Sequence, residues 1–308
     1  MTGHTDRSSA PDVDRMVSNI GTELLKNDRF LLMTHVDPDA DGIGSMLALG
    51  RALSDAGKEA TLLVQKPLEG PLTRLKDTDR MVSRIHPDTE FDVVVALDCA
   101  EKERLGDFVK YVGLHTLSVN IDHHQTNDGF ADINLIAPTA SSTGELVFRI
   151  LKKAGFSICT DVASNLFAAV QTDTGSFRYT NTTPEAMRMG AELIESGARP
   201  WEISREVMDG YSIARLKLLK LALGTLEFHF RDRLGMMTVH RHMFERTGAG
   251  PEDSERFVDY PRFVYGVEVA ALLRETDMGH YKFSLRSDPT FNVADKKPFF
   301  EKSRPLSG

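Results

Sequence analysis

Three aspartates and a histidine crowd the stretch THVDPDADGIGS at residues 34–45. Asp37, Asp39 and Asp41 alternate with other residues and a glycine follows, as at the start of a calcium-binding EF-hand loop. Such a loop needs a bidentate carboxylate at its twelfth position, which here, counted from Asp37, is Ala48. The EF-hand interpretation is therefore rejected, and the acidic stretch needs another explanation.

The acidic stretch lies where a predicted strand ends and a predicted helix begins. RFLLMTHV is typical of a buried strand, and from Ile43 onward apolar residues recur at helical spacing. Two more predicted strands lead into possible metal ligands, VVVALD ending at Asp98 and LSVNID running into His123 and His124. Asp173 ends a further apolar stretch, SNLFAAVQTD. Because the carboxyl ends of parallel strands lie together at one edge of a sheet, these side chains are expected to converge.

The converging side chains have the types that a pair of metal ions needs. One aspartate at a strand or helix end is commonly a cap or turn residue, but several converging carboxylates repel one another and need cations. Nitrogen and oxygen donors without thiolate suit manganese, magnesium, cobalt or iron better than structural zinc. Two ions about 3.5–4 Å apart can activate a water and stabilise a phosphoryl displacement. The candidate ligands are His35, Asp39, Asp41, Asp98, His123 and Asp173.

Composition and charge limit the class of protein. The 308 residues suffice for two domains, and 41% hydrophobic with 27% charged residues is typical of a soluble globular protein. The net charge of −8 argues against coating long nucleic acid, but it allows a local basic patch for a short anionic ligand. Two cysteines give no disulfide framework, and no apolar run is typical of a membrane helix or signal peptide. A reducing, cytoplasmic location without membrane contact is therefore expected.

The pattern of elements predicts two domains. Strands that alternate with helices indicate an α/β domain with a mostly parallel sheet and flanking helices. After about residue 198 the pattern changes to a helix-rich stretch, followed by the strand-like GMMTVH, VEVAALLRE and HYKFSLRS. We therefore expect a smaller α/β domain at the carboxyl end. The predicted parts are a polar tail at 1–15, a metal-binding catalytic domain at 16–198, a helical connector at 199–225 and the smaller domain at 226–308.

Taken together, the motifs resemble the DHH phosphoesterase family, whose name describes the triad Asp122-His123-His124. The matching blocks include HVDPDADGIGS, VVVALDCA, VNIDHHQTN, APTASSTGELV, VQTDTGSFRYTNTTPEA and KFSLRS, and they span about residues 30–287. The similarity is greatest to the branch that carries a DHH-associated carboxyl-terminal domain (DHHA1) and contains the NrnA-type oligoribonuclease/pAp phosphatases, where pAp is 3′-phosphoadenosine 5′-phosphate. This resemblance implies an active site in the cleft between the DHH domain and a DHHA1-like domain.

The resemblance also implies a role for each candidate residue. Two divalent cations are expected, most often manganese in this family, with magnesium or cobalt as alternatives. Asp98 would bridge the ions, Asp122 would orient an imidazole, and His124 would contact the scissile phosphate. Asp37 is left out of the ligand set as a turn residue. One ion is expected on His35 and Asp39, and the other on Asp41, His123 and Asp173.

Substrate contacts are expected from the strand HYKFSLRS. Its alternation places Lys282, Ser284 and Arg286 on one face and apolar residues on the other. A half-buried strand would explain this pattern without function, but the resemblance implies that Arg286 grips a substrate phosphate. Ser142 and Thr143 could assist, although hydroxyls before a helix are more often N-caps.

These observations predict a metal-dependent phosphoesterase that hydrolyses short oligonucleotides (nanoRNA) and pAp with a metal-activated water. One alternative is a phosphodiesterase of cyclic or linear dinucleotides such as pApA. Another is a low-activity nucleotide-binding protein, because the Gly-rich segment that family members carry after this strand is absent and the end after about residue 295 is atypical. A homodimer is compatible with the family analogy.

Overall fold

Strands and helices alternate through the first part of the chain. This computed structural model describes residues 10–113, 116–208, 211–276 and 279–287, and the chain divides into two units, 1–210 and 211–308. The described strands of the first unit are β1 (Arg29–Met33), β2 (Glu59–Leu63), β3 (Met81–Val82), β4 (Val93–Leu97), β5 (Leu117–Asp122) and β6 (Ile133–Ile136). Its described helices are α1 (Ala10–Lys26), α2 (Ala40–Asp55), α3 (Thr143–Ala154), α4 (Thr160–Asp173), α5 (Pro184–Glu195) and α6 (Pro200–Val207).

The six strands form one sheet in the order β3-β2-β1-β4-β5-β6, and every neighbouring pair is parallel. The predicted α/β class with a mostly parallel sheet is therefore confirmed. From β1 the chain builds outward to β2 and β3, and then returns to place β4 on the other side of β1. The crossovers leave β1 and β4 in opposite directions, so a crevice opens beyond their carboxyl ends, where ligands bind in such sheets.

Helices α2, α3 and α4 pack closely because small residues lie at their contacts. A Cβ on Gly44 of α2 would lie 2.6 Å from the carbonyl oxygen of Asn165 in α4. A Cβ on Gly144 of α3 would lie 2.7 Å from the Cβ of Ala169, also in α4. The backbones of the three helices can therefore approach one another beside the sheet, which brings the start of α2, the start of α3 and the end of α4 together.

The second unit has a smaller, mixed sheet. Its described strands are β7 (Glu227–His229), β8 (Leu234–Val239), β9 (Val269–Glu275) and β10 (Tyr281–Ser287), in the order β10-β9-β8-β7. The pair β8–β9 is parallel, and β7–β8 and β9–β10 are antiparallel. The described helices are α7 (Ile213–Leu223), α8 (Arg241–Thr247) and α9 (Asp259–Arg262). Leu218, Met237 and Phe257 are buried in the core of this unit.

The described helices differ from two of the expected boundaries. Helix α1 begins at Ala10, inside the expected polar tail at 1–15, because Val13 already belongs to the buried apolar face of the helix. The stretch 199–225 is not one connector, since Ile203 of α6 packs in the core of the first unit and Leu218 of α7 packs in the second.

Three short strands were not predicted. Strands β3 and β6 have two and four residues, too few for an apolar alternation to appear in the sequence. Strand β7 directly follows the stretch that was expected to be helix-rich, and its three residues are all exposed. The expected atypical end after about residue 295 and the missing Gly-rich segment lie outside the described residues. Within the described ranges, the helices are too short or too polar to cross a membrane.

Candidate metal centre

The first part of the centre follows strand β1. His35 is buried just beyond this strand. Asp39 caps helix α2, because its Oδ1 accepts hydrogen bonds from the backbone nitrogens of Asp41 at 2.9 Å and Gly42 at 3.2 Å. The helix therefore begins at Ala40 rather than near Ile43 as predicted, and Asp41 lies in its first turn. Capping uses only one carboxylate oxygen of Asp39, which leaves the other oxygen available to bind a metal ion.

Asp41 is buried and held at the start of helix α3. Its Oδ2 accepts the backbone N–H of Thr143 at 2.7 Å, and its Oδ1 accepts that of Gly144 at 2.9 Å. The amino end of a helix stabilises a negative charge. Burial nevertheless raises the pKa of Asp41 well above its usual value, and the charges of Asp98 and Asp173 raise it further. The folded chain therefore places a carboxylate where its negative charge needs a nearby cation.

Asp98 lies at the middle of the centre, directly after strand β4. Its Oδ1 is 3.8 Å from Nε2 of His123 and 3.6 Å from Nδ1 of His124, and its Oδ2 is 3.8 Å from Nε2 of His35. The Thr143 hydroxyl donates to Oδ1 at 3.1 Å. Burial acts to raise the pKa of Asp98, but the three surrounding histidines hold it below its usual value. The ionised carboxylate is thus stabilised between two groups of imidazoles.

The backbone at Asp98 is also unusual. Its φ is +54°, in the left-handed region that few residues other than glycine adopt, and its side chain is buried. Such strained residues persist only where the surrounding structure requires them, and they cluster at functional sites. The turn after β4 is therefore shaped to aim this carboxylate into the crevice at the carboxyl end of the sheet.

The last residue of strand β5, Asp122, accepts hydrogen bonds from the residues that follow it. Asp122 is fully buried, and its Oδ1 accepts the backbone N–H of His123 at 2.9 Å and the Nδ1–H of His124 at 2.7 Å. Its Oδ2 accepts the amide of Asn127 at 2.6 Å. The hydrogen bond that His124 donates to Asp122 raises the pKa of His124 to about 9. Without a metal ion, His124 is therefore protonated at neutral pH, with Nδ1–H donating to Asp122 and Nε2–H available to another acceptor.

His123 lies among three carboxylates. Its Nε2 is 3.8 Å from Oδ2 of Asp41, 3.8 Å from Oδ1 of Asp98 and 3.8 Å from Oδ2 of Asp173. Asp173 is the last residue of α4, and its Oδ2 also accepts the side-chain amide of Asn181 at 3.1 Å. Burial raises the pKa of Asp173 to about 6, with the charge of His123 opposing this rise and Asp98 adding to it.

The described residues include three groups that could hold a metal ion. Within each group the possible ligand atoms all lie within 4.8 Å of one another. The groups are His35-Asp39-Asp98, Asp41-His123-Asp173 and Asp98-His123-His124. The structure thus brings together the six side chains expected as ligands, whereas Asp37 is exposed and lies in none of these groups. Imidazole nitrogens and carboxylate oxygens suit a divalent cation, and the raised pKa values of Asp41 and Asp173 show how poorly their charges are offset without one.

The expected substrate-binding residues lie in the second unit, on its edge strand β10. In the antiparallel register Arg286 pairs with Ala270, Ser284 with Leu272 and Lys282 with Arg274, so each pair shares a face of the sheet. Ala270 and Leu272 belong to the core, so the polar residues of β10 lie on the core face rather than on the opposite one. Lys282 and Arg286 are still exposed because β10 is at the edge of the sheet.

The apolar residues of β10 are less buried than the alternation predicted. Tyr281 and Phe283 are 42% and 52% exposed. Alternation in sequence shows which side chains share a face, but it does not show which face the helices cover.

The residues around the centre include a cap that the sequence suggested and contacts that it did not. Ser142 is the N-cap of α3, with its hydroxyl accepting from the backbone of Glu145 at 3.1 Å, as hydroxyls before a helix commonly do. The next residue, Thr143, instead binds Asp98. The side-chain amides of Asn127 and Asn181 donate to the carboxylates of Asp122 and Asp173, and no local sequence pattern predicts that role.

The amino-acid sequence of this chain is similar to those of known proteins. The family described as "DHH family, N-terminal domain" matches residues 29–170. The bifunctional oligoribonuclease and PAP phosphatase NrnA of Thermus thermophilus is 35% identical over 257 residues, which cover 83% of this chain and 75% of that protein. The cyclic-di-AMP phosphodiesterase GdpP of Geobacillus thermodenitrificans is a weaker match, 28% identical over 184 residues that cover 53% of this chain and 27% of that protein.

Solved structures agree with the sequence matches. An exopolyphosphatase-related protein from Bacteroides fragilis has a TM-score of 0.84 at 26% identity, covering 93% of this chain and 86% of the other. Enzymes of the DHH family use divalent metals, and the His and Asp groups described above could bind them. The similarity extends through both units, as the motifs predicted. The chain therefore belongs to the DHH family and is a metal-dependent hydrolase of the phosphoesterase type.

Proposed function

We propose that this protein hydrolyses short oligoribonucleotides and pAp with two divalent cations, preferably manganese. The observation that carries the proposal is the position of Asp98, whose carboxylate lies between His35 on one side and His123 on the other. One shared carboxylate between two groups of ligands is what a pair of ions requires. The 35% identity with the Thermus thermophilus oligoribonuclease and PAP phosphatase supports the choice of substrates.

The proposed ligand assignment follows the groups in the structure. His35 and Asp39 would hold one ion, and Asp41, His123 and Asp173 the other, with Asp98 shared. When bound, such ions supply an activated water and positive charge for the phosphoryl displacement. Mixed imidazole and carboxylate ligands without thiolate are compatible with manganese, and magnesium or cobalt are the alternatives. Measuring turnover of metal-depleted protein with each of the three ions tests this preference.

His124 is proposed to contact the scissile phosphate. Its Nδ1–H is engaged by Asp122, which keeps the ring protonated and fixes its orientation. The Nε2–H is then a donor for a phosphate oxygen, and the side chain is 39% exposed and so accessible to a substrate. Asp122 acts through His124 and is a positioning residue.

Arg286, with Ser284 and Lys282, is proposed to bind the substrate through its other phosphates. Arg286 is exposed and forms no ion pair with the described residues. Its Nη1 donates to the carbonyl oxygen of Leu285 at 3.0 Å, and the other N–H groups of the guanidinium are available to a phosphate. Replacing Arg286 by alanine should raise the KM for pAp about tenfold or more while manganese affinity stays unchanged. An unchanged KM would remove β10 from the proposed site.

The direct experiment is to incubate purified protein and manganese with pAp and with a labelled trinucleotide. We expect release of phosphate from the first and of mononucleotides from the second. Asp98→Asn should abolish both reactions, and Asp37→Asn is the matched control because Asp37 is exposed and outside every ligand group. Wild-type protein that releases neither product contradicts the proposal.

A second candidate substrate is a cyclic or linear dinucleotide. The similarity to the cyclic-di-AMP phosphodiesterase GdpP favours it, although that match covers only 53% of this chain. A panel of pAp, di- to pentanucleotides, pApA and cyclic di-AMP, compared by kcat/KM, separates the two. A cytoplasmic location and a homodimer are also part of the proposal, and light scattering of the purified protein tests the dimer.

A further inference from the structure

An arginine of the first unit, Arg104, lies at the edge of the metal centre. Nη2 of Arg104 is 3.0 Å from Nδ1 of His35. The side chain is half-buried, and among the described residues it forms no ion pair with a carboxylate. A partly desolvated guanidinium beside an acidic cluster, yet paired with an imidazole, is an unusual arrangement that needs an explanation.

The backbone around Arg104 is anchored so that its side chain stays beside His35. The Arg104 carbonyl accepts the N–H of Val36 at 2.9 Å, and the carbonyl of Leu105 accepts the Gln65 amide at 2.7 Å. Gly106 has a φ of +54°, and a Cβ there would lie 2.7 Å from Cγ1 of Val36. The segment is therefore fitted against the residue that follows His35, and it is not a loose surface loop.

The hydrogen bond between Arg104 and His35 is incompatible with a metal-loaded His35. Nε2 of His35 is the nitrogen aimed at Asp98, 3.8 Å from its Oδ2, so it is the nitrogen available to an ion. A neutral imidazole that binds an ion through Nε2 carries its proton on Nδ1. A guanidinium offers only N–H donors, so two N–H groups would then face each other. With the ion bound, Arg104 needs a different acceptor.

We propose that Arg104 binds a non-bridging phosphate oxygen of the substrate, on the His35 side of the centre. The inference rests on the proposed phosphoesterase function and adds a substrate-binding residue to it. A phosphate presents the paired oxygens that a guanidinium fork fits. It would also give Arg104 a negatively charged partner, which this side chain does not have among the described residues.

The opposing explanation is that Arg104 only positions His35. Loss of that role would lower the affinity for the metal ion. Loss of a phosphate contact would instead raise the KM for the substrate at saturating metal. Two variants separate them. Arg104→Met keeps the packing of the aliphatic stem without charge, and Arg104→Lys keeps a charge without the fork.

The experiment measures the KM for pAp at saturating manganese and, by calorimetry without substrate, the affinity for manganese alone. We expect Arg104→Met to raise KM about 10- to 100-fold, with a smaller rise for Arg104→Lys. Manganese affinity should stay equal to wild type or increase, because a nearby positive charge is removed. Arg188→Met is the control, since Arg188 is exposed and paired with Glu185.

A KM within threefold of wild type for both variants, or a tenfold loss of manganese affinity, overturns the inference. If Arg104→Met does not fold, the Arg104→Lys comparison still decides. Binding of pAp to calcium-loaded protein, measured by calorimetry, provides a readout that does not depend on turnover. Inactive wild-type protein contradicts the proposed function, whereas active wild-type protein with unaffected variants contradicts only the role of Arg104.

Discussion

Asp41 and Thr143 are joined by a 2.7 Å hydrogen bond across 102 positions of sequence. The backbone N–H of Thr143 donates to Asp41, while its hydroxyl donates to Asp98. One residue at the start of α3 thus holds two carboxylates that come from α2 and from the turn after β4. The small residues between the helices let α2, α3 and α4 approach closely. The backbone N–H groups at the start of α3 can therefore donate hydrogen bonds to Asp41 of the acidic centre.

The Thr143 hydroxyl can be tested separately from its backbone. Thr143→Ser keeps the hydroxyl, whereas Thr143→Val removes it and keeps the shape. We expect Thr143→Val to lower kcat/KM for pAp about 10- to 100-fold, as loss of a group that orients a metal ligand does. Thr143→Ser should stay within a few-fold of wild type. Equal activity of the two variants would show that the contact with Asp98 has no functional effect.

Replacing Asp98 should have the largest effect of any single change in the centre. We expect Asp98→Asn to lose at least about 100-fold in kcat/KM and to bind manganese weakly, because Asp98 is the proposed shared ligand and a direct ligand matters at least as much as a group that orients one. Asparagine tolerates the left-handed backbone at this position, so folding should be retained. Circular dichroism, calorimetry with manganese and phosphate release from pAp provide the measurements. Wild-type rates in this variant would refute the ligand assignment.

The stability of the metal-free protein should depend on the charge of Asp173. Its pKa rises from the ordinary 3.8 to about 6 on folding, so its contribution is fully present below pH 4 and is lost as the pH rises through 6. The loss is at most about 3 kcal/mol. Asp173→Asn avoids it, so we expect this variant to unfold at a higher temperature than wild type at pH 7.5, and with a smaller advantage at pH 4.5.

Manganese should reverse the order of stability in that experiment. Binding to the folded state alone adds about 4.1 kcal/mol when the ion is present at about 1,000 times its Kd, which exceeds the loss of about 3 kcal/mol. Wild-type protein should gain this increment, and Asp173→Asn should gain much less. Thermal unfolding with and without EDTA measures both effects. A wild-type protein that manganese does not stabilise at pH 7.5 would contradict the assignment of Asp173.

Asp122 should control the protonation of His124. Replacing Asp122 by asparagine removes the charge that raises the pKa of His124 to about 9, so that pKa should fall toward the ordinary 6.5. NMR titration of the imidazole in metal-free protein measures the shift directly. We expect an accompanying loss of about 10- to 100-fold in activity at pH 7.5. Asn127→Ala is an informative partner, since it removes a donor to Asp122 and should lower activity less.

Much of the first unit was predictable because parallel strands are apolar throughout. The residues of β4 are all buried, and the run VVVAL shows this directly in the sequence. The ligands could be predicted because they follow such strands, where a polar residue after an apolar run stands out. By contrast, the short edge strands β3 and β6 leave no such pattern, since two to four residues cannot show a period.

Other features depend on contacts between distant segments. The sequence shows that ASSTGELV contains hydroxyls before a helix, but not that Ser142 caps the helix while Thr143 reaches Asp98. Arg104 lies in a 3₁₀ segment with no periodic signal, and only the fold brings it to His35. Such roles are set by tertiary contacts, so single-sequence patterns miss them.

The position of β1 between β2 and β4 has a consequence for biosynthesis. His35 emerges from the ribosome early, but its partner Asp98 arrives only after the chain has formed β2 and β3 and returned. Asp173 comes later still, at the end of α4. A nascent chain shorter than this cannot assemble the full ligand set, and long-range pairing is slow. Assembly of the proposed ligand set therefore requires the chain through α4, and we expect truncated chains released before α4 to bind divalent cations poorly.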